Sequence, residues 1–230
     1  MYRFFENRNY DNKNDLSKEN YHHLKNVIRI EEDEDFEVIF KDKNLIFNLL
    51  EDKLILKGEG QKNRESDINL SLFFGILKGD KNEKIIERGT EVGVKDFYPL
   101  VMERCISNIS AKEDKKILRW QKISEAAAKQ AKRDIIPLVH KPIKPVELIE
   151  NFKGDLILLY EGEEEIFFKD IKSKLSKNLG LVVGPEGGIS PKELEIFKDA
   201  YKISLGRRIL RAETAAIAGS FYIIHNLECD

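Results

Sequence analysis

The sequence predicts an α/β protein in two parts: a small β-rich N-terminal domain and a larger domain with a mostly parallel sheet. Three observations lead to this fold class. Short β-type runs and polar turns fill the first sixty or so residues. Two continuous apolar runs, at 156–160 and 179–183, are typical of strands that are buried on both faces. Strand and helix patterns alternate after residue 67, as they do in parallel sheets.

The N-terminal domain is expected to be barrel-like. Three short strands are predicted, at 36–40, 45–50 and 54–56. The polar residues 41–44 form a hairpin-like turn, and a short helix is expected around 19–26 with Ser17 or Asn20 as its N-cap. Residues 58–67 have the composition of a linker, which divides the chain into domains 1–66 and 67–230.

The C-terminal domain alternates strands with helices. Its strands are predicted at 68–77, 96–102, 156–160, 179–183 and 202–205. Its helices are predicted at 80–93, 113–133, 166–175, 191–200 and 212–227. The helix at 113–133 is basic: from Lys112 to Asp134, eight Lys/Arg stand against four Asp/Glu, a net charge of +4. A solvated face and a phosphate-contacting face both fit this charge, and Trp120 is assigned to the core or to a dimer interface.

Composition excludes several protein classes. Lys+Arg 39 nearly balances Asp+Glu 41, so the net charge of -2 gives no global argument for nucleic-acid binding. Cys105 and Cys229 match no metal-ligand spacing and no disulfide framework, and His22 and His23 are expected to be structural. No signal peptide and no apolar run of about 20 residues is found, so a soluble, cytoplasmic protein without membrane contact is expected.

A glycine-rich loop follows the apolar run 179–183, where ligands of open α/β sheets gather. The loop consists of Gly184, Pro185, Glu186, Gly187 and Gly188, and Ser190 with Pro191 is suited to begin the next helix. Its spacing matches neither common phosphate loop, and Glu186 would repel a phosphate. A carboxylate suits a ligand such as S-adenosylmethionine (SAM), which carries a sulfonium, an ammonium and an adenine amine. A structural turn without a ligand is the alternative.

A second strand-to-helix turn concentrates charge. It consists of Leu205, Gly206, Arg207, Arg208, Ile209, Leu210, Arg211, Ala212, Glu213, Thr214 and Ala215. Single surface arginines mean little, but three beside a loop at a carboxyl strand end are typical of an RNA-facing rim.

Together, residues 181–188 and 205–215 closely resemble the RsmE family, the small-subunit (16S) ribosomal RNA uridine-N3 methyltransferases. Further similar segments are Lys78-Gly79-Asp80-Lys81, 91–94, 119–123, 126–133, Arg3-Phe4-Phe5 and 22–29. The chain departs from the family at Lys129, Ala131 and Lys132, where acidic, hydroxyl and glycine residues are common, and it keeps Gln130 and Arg133.

The resemblance implies a SPOUT-class domain with a deep trefoil knot, a PUA-like β-barrel that binds RNA, and a homodimer. It implies SAM as the cofactor, no metal, and 16S rRNA or the small ribosomal subunit as the partner. The implied cofactor-binding residues are Tyr160, Glu161, Gly184, Pro185, Glu186, Gly187, Gly188, Leu205, Gly206, Leu210, Thr214 and Ala215. The implied RNA-binding residues are Arg3, Arg29, Lys122, Gln130 and Arg133.

Methylation of uridine N3 requires an unpaired or extruded base and removal of the N3 proton. Arg208 or Arg211 would stabilise the developing charge, or Glu213 would accept the proton. Glu213 is equally suited to cap a helix or to bind the methionine part of SAM. Two other functions fit the sequence: methylation of transfer RNA or another RNA, and a non-catalytic rRNA-binding assembly factor, against which the intact glycine loop argues.

Overall fold

The computed structural model describes residues 1–61, 64–107, 109 and 112–229, and their contacts form two compact units. The first unit contains Met1–Arg64 and the short segment Lys129–Asp134. The second contains Glu65–Ala128 and Ile135–Asp230. Two residues of the predicted linker, Lys62 and Asn63, lie outside the described residues. Within the described part, no helix is long and apolar enough to cross a membrane.

The first unit is built on a four-stranded sheet in the order β1-β2-β3-β4. Its strands are β1 (Tyr2–Phe5), β2 (Phe36–Ile39), β3 (Asn44–Leu50) and β4 (Lys53–Glu59). β1 pairs parallel with β2, and the other two pairs are antiparallel. β1 was not predicted from the sequence. The pairings among the described residues leave β1 and β4 at opposite edges, so this sheet is open where a barrel was expected.

The observed turn and helix start in the first unit agree with the predictions from the sequence. The hairpin turn between β2 and β3 is confirmed by the hydrogen bond from Phe40 N to Lys43 O, 2.9 Å. The α1 helix (Lys18–His22) begins after Ser17, whose hydroxyl accepts a hydrogen bond from Asn20 N. Ser17, rather than Asn20, is therefore the N-cap. A π-helix (His23–Ile28) continues α1.

The second unit contains a six-stranded sheet in the order β10-β8-β9-β5-β6-β7, with every described pair parallel. The strands are β5 (Asn69–Gly75), β6 (Asp96–Leu100), β7 (Leu138–Val139), β8 (Asp155–Leu159), β9 (Asn178–Val183) and β10 (Tyr201–Ile203). The helices are α2 (Lys81–Glu91), α3 (Glu113–Gln130), α4 (Pro145–Asn151), α5 (Phe168–Ile171), α6 (Pro191–Ile196) and α7 (Ala212–Glu228). The predicted α/β class with a parallel sheet is confirmed.

Both faces of the sheet are covered, as the apolar runs predicted. On β5, Leu72 and Phe74 belong to one core, while Phe73 between them belongs to another. This alternation follows from the two-residue period of a strand. The first core includes residues of α2 and α7, and the second includes Leu148 of α4 and Phe197 beside α6.

In the second unit, two elements were not predicted and several helices are shorter than predicted: α5 spans Phe168–Ile171 within the predicted 166–175, and α6 ends at Ile196 rather than at residue 200. β7 and α4 were not predicted, because they are only two and seven residues long. The long helix α3 ends at Gln130 rather than at Arg133. Lys132 has φ 56°, a left-handed conformation that an α-helix cannot contain.

The C-terminal helix α7 returns to the middle of the sheet. β10 lies at the edge beside β8, yet α7, which follows it, packs against β9 and β5. Gly219 permits this close approach to the sheet, since a Cβ at this position would lie 2.8 Å from Leu159 Cδ1 of β8 and 3.3 Å from Leu181 Cδ2 of β9.

Candidate active site

A cavity of about 970 Å³ lies at the carboxyl ends of β8, β9 and β10. Its walls come from the residues that directly follow these strands, including Tyr160, Glu161, the glycine loop and the 204–212 segment. The cavity is therefore where a parallel sheet of this class holds its ligands. Its size is within the range of about 300–1,000 Å³ that is usual for small-molecule sites.

The glycine loop forms a tight, well-supported turn. Gly188 N donates to Pro185 O at 2.9 Å, and Gly188 has φ 73°, which favours glycine. A Cβ on Gly188 would also lie 3.0 Å from Glu161 Oε1. From outside the loop, Arg104 Nη1 donates to Gly187 O at 3.1 Å. These contacts fix the loop backbone beside the cavity.

The helix after the loop begins as predicted. Ser190 is the N-cap: its hydroxyl accepts from Glu193 N at 3.3 Å, and its own N–H donates to Glu193 Oε2 at 2.9 Å. Pro191 is the first helical residue. Glu193 Oε1 also accepts from Glu103 N at 2.7 Å, which ties the start of α6 to the segment after β6.

The opposite wall is the arginine segment. Gly206 has φ 111°, so the backbone requires glycine, yet a Cβ there would meet no atom within 4 Å. The space beside Gly206 is thus open. Arg208 and Arg211 line the cavity and are exposed, and Ile209 between them is 84% exposed. This rim offers positive charge and one apolar side chain to solvent.

A lysine that the sequence did not assign to the site joins the two walls. Lys81, the first residue of α2, lines the cavity. Its Nζ lies 2.9 Å from Glu186 Oε1 in the glycine loop and 3.9 Å from Glu213 Oε2 in the first turn of α7. The hydrogen bond with Glu186 raises the pKa of Lys81. Partial burial acts to raise the pKa of Glu186, but hydrogen bonds, above all from Lys81, lower it overall.

The cavity brings together most of the residues predicted to bind the cofactor. Those that line it are Tyr160, Glu161, Gly184, Pro185, Glu186, Gly188, Leu205, Gly206, Leu210 and Ala215. Gly187 and Thr214 are not among the lining residues, and neither is Glu213, whereas Arg208 and Arg211 are. Lining residues that the sequence did not predict include Lys81, Glu163, Glu164, Phe167 and Ser204, and Arg207 of the predicted arginine segment also lines the cavity. Glu163 and Glu164 stand just after β8, so the strand-end rule could have found them.

The residues present fit SAM. Leu159, Val183 and Ile203 give the cavity an apolar wall for an adenine ring, and Glu161 and Glu186 supply carboxylates for cationic groups. Open space beside Gly206 leaves room for a ligand against the backbone. Among the residues that the structure describes, no group of His, Cys, Asp and Glu side chains could hold a metal ion.

The five residues predicted to bind RNA fall into two groups. Arg29, Lys122 and Gln130 are exposed. Arg3 and Arg133 are buried, at 5% and 4% exposure. In this arrangement Arg3 is committed to partners inside the first unit, so contact with an RNA phosphate would require its ion pairs to break.

Those partners form a buried network around Asp134. Arg3 Nε lies 2.7 Å from Glu37 Oε2, an ion pair rather than an aligned hydrogen bond, and Arg3 Nη2 donates to Asp134 Oδ1 at 2.9 Å. Asn44 Nδ2 donates to the same oxygen at 2.9 Å, and Arg64 N donates to Oδ2 at 3.1 Å. Burial acts to raise the pKa of Asp134, but these hydrogen bonds lower it overall.

The comparisons with known proteins point to one family. A family model described as an RNA methyltransferase domain matches residues 64–223. The chain is 31% identical over 226 residues to ribosomal RNA small subunit methyltransferase E of Mesomycoplasma hyopneumoniae, covering 94% of this chain and 96% of the relative. It is 32% identical over 220 residues to the Bacillus subtilis protein of the same name, covering 88% and 86%.

A solved structure of a protein with the same name is similar to this chain over nearly its whole length. The ribosomal RNA small subunit methyltransferase E of Neisseria gonorrhoeae, solved with bound SAM, matches with a TM-score of 0.84 at 27% identity. The match covers 97% of this chain and 96% of that one.

Proposed function

Because the chain belongs to the RNA methyltransferase family, we propose that it methylates N3 of a uridine in 16S rRNA of the small ribosomal subunit. SAM is the proposed methyl donor. The observation that carries this proposal is the cavity itself, in which the glycine loop and the arginine segment face each other at the carboxyl ends of β8, β9 and β10. The near-complete coverage of relatives named for rRNA methylation supports the choice of RNA.

SAM would supply an activated methyl group, which passes to N3 as the bond from methyl to sulfur breaks. The chain's own residues have to bind, orient and stabilise. Glu161 and Glu186 would hold cationic parts of the cofactor, and the apolar side chains after β8 and β9 would enclose its adenine. Holding the acceptor nitrogen in line with the methyl group can supply much of the rate.

For the loss of the N3 proton, the arrangement favours release of the proton to solvent at the exposed rim, with the charge left on the base stabilised by arginine. Arg208 and Arg211 are exposed and line the cavity, where they could face the oxygens of a uridinate. Glu213 does not line it, and its Oε2 is buried beside Lys81. We therefore assign the catalytic contact to Arg208 and Arg211 and a supporting part to Glu213.

We further propose that Arg29, Lys122 and Gln130 contact the RNA. Their exposure supports this, as does the excess positive charge of the helix that carries Lys122. Arg3 and Arg133 would act indirectly, by stabilising the first unit from within.

We also propose that the C-terminal domain contains a trefoil knot and that the N-terminal domain is PUA-like. A trefoil knot is supported by the path of the C-terminus, in which α7 follows the edge strand β10 but packs against β9 and β5. A PUA-like domain at 1–66 and a methyltransferase domain at 67–230 are supported by the division of contacts between Arg64 and Glu65. A homodimer in the cytoplasm is proposed from the family resemblance alone.

The experiment is methyl transfer from labelled SAM to purified small subunits, with large subunits and transfer RNA as parallel substrates. Label in the small-subunit RNA alone is the expected result. Label mainly in transfer RNA would contradict the substrate, and binding to small subunits without any transfer of label would point to an assembly factor instead.

A further inference from the structure

Lys81 stands between two carboxylates, Glu186 in the glycine loop that lines the cavity and Glu213 in the first turn of α7 behind it. Its ammonium hydrogen-bonds Glu186 at 2.9 Å and lies 3.9 Å from Glu213, beyond hydrogen-bond distance. All three side chains are partly shielded, with 29% of Lys81, 26% of Glu186 and 15% of Glu213 exposed. The ammonium of Lys81 is thus hydrogen-bonded to one carboxylate and only near the other.

The two carboxylates also differ in their other partners. Glu186 Oε1 accepts a second hydrogen bond, from Lys78 N at 3.3 Å, so it keeps one donor without Lys81. Glu213 Oε2 is buried and has no hydrogen-bond partner among the described residues. A buried carboxylate oxygen without a donor is costly, so a donor that arrives there is strongly favoured.

We propose that Lys81 is a movable counter-ion, which pairs with Glu186 in the free protein and moves to Glu213 when a cationic group of SAM binds Glu186. This inference rests on the proposed function, since it takes SAM as the ligand. The movement is small, because a shift of about 1 Å brings Nζ within hydrogen-bond distance of Glu213 Oε2. Every anion keeps a cation throughout, so no charge is left unpaired.

The arrangement explains why Glu186 can be a ligand group although it is already paired. If Lys81 had no second partner, binding of a cation at Glu186 would have to break an ion pair outright or place two positive charges side by side. Glu213 removes that penalty.

The direction of the change in SAM affinity in three variants distinguishes this movement from a fixed ion pair between Lys81 and Glu186. Glu213→Gln removes the second partner, so Lys81 stays on Glu186 and SAM binding weakens, by roughly two- to fivefold for a partly exposed pair. Lys81→Met removes the competitor, so SAM binding is unchanged or tighter. In the double variant the loss caused by Glu213→Gln disappears, because Lys81 is no longer there to compete.

The experiment is calorimetric titration of the full chain with SAM, with thermal melts to confirm that each variant is folded. Lys84→Met is the matched control, since Lys84 lies one turn further along α2 and pairs with Asp80 on the surface. Weakened binding in both single variants, with additive losses in the double variant, would overturn the movement and leave the proposed function intact. No binding of SAM to the wild-type chain at millimolar concentration would contradict the proposed function itself.

A second titration uses S-adenosylhomocysteine, which keeps the ammonium of SAM but lacks the sulfonium charge. An equal effect of Glu213→Gln on both ligands supports the movement and identifies the ammonium as the group at Glu186. A smaller effect on S-adenosylhomocysteine supports it and identifies the sulfonium. A larger effect on S-adenosylhomocysteine than on SAM would contradict it, because the less cationic ligand would then compete better with Lys81.

Discussion

Replacing Arg3 by methionine is expected to destabilise the first unit by about 3 kcal/mol. The guanidinium contacts Glu37, Asp134 and the carbonyl oxygen of Arg133. Its side chain is 1% exposed and that of Glu37 is 4% exposed, so solvent does not replace what is lost. Methionine has a similar length, which keeps the packing and isolates the loss of charge.

The magnitude follows from what remains after the substitution. Removing one partner of a buried ion pair costs about 3–5 kcal/mol. Asp134 would keep its donors Asn44 Nδ2 and Arg64 N, and Glu37 would keep Arg64 Nη1 at 3.4 Å. These remaining donors place the expected cost at the low end of that range.

Hydrogen exchange measured by mass spectrometry is the appropriate assay, because two units need not unfold together. Amides of β1, β2 and β3 are expected to exchange roughly a hundredfold faster, since about 1.4 kcal/mol corresponds to a factor of ten. Lys25→Met is the control, because Lys25 forms an exposed pair with Asp52 and should cost at most about 1 kcal/mol. Equal effects of the two substitutions would refute the reasoning about burial.

Three further predictions concern the pH dependence of stability, the backbone of the cavity and turnover. Because folding lowers the pKa of Asp134, the ionised carboxylate stabilises the protein above about pH 4, and this stabilisation is lost as the pH falls through the folded-state pKa. In a urea titration, Asp134→Asn should therefore be less stable than the wild type at pH 7. The difference between the two proteins should shrink below pH 4. Gly206→Ala, at φ 111°, should lose about 1–3 kcal/mol in a thermal melt and bind SAM more weakly, whereas Gly58→Ala, which also meets open space, should do neither. Arg211→Ala should lower turnover by about a hundredfold or more while calorimetry finds SAM affinity nearly intact, and a loss of SAM binding instead would move Arg211 to the cofactor pocket.

The regular elements around the site could be predicted because each has a local signal. The run at β9 is continuously apolar, and the capping pattern at Ser190 and Glu193 marks the start of α6. The strand-end rule then locates the glycine loop in a binding cavity. Short elements such as β7 carry too few residues for a period to be seen.

Contacts between distant parts of the chain could not be predicted in the same way. Lys81 precedes Glu186 by 105 residues, and nothing near either residue indicates their ion pair. Arg3 was predicted to contact RNA because it is basic and lies in a family-like segment, but its partner Asp134 is 131 residues away. Burial of an arginine depends on such partners, which only the folded chain reveals.

The most direct test of the central claim is to identify the methylated nucleoside. Small subunits treated with the protein and methyl-labelled SAM are digested to nucleosides and analysed by mass spectrometry, with Arg211→Ala as the parallel sample. We expect labelled N3-methyluridine from one position of 16S rRNA with the wild-type protein and almost none with the variant. Label on another base, or on the ribose, would contradict the assignment.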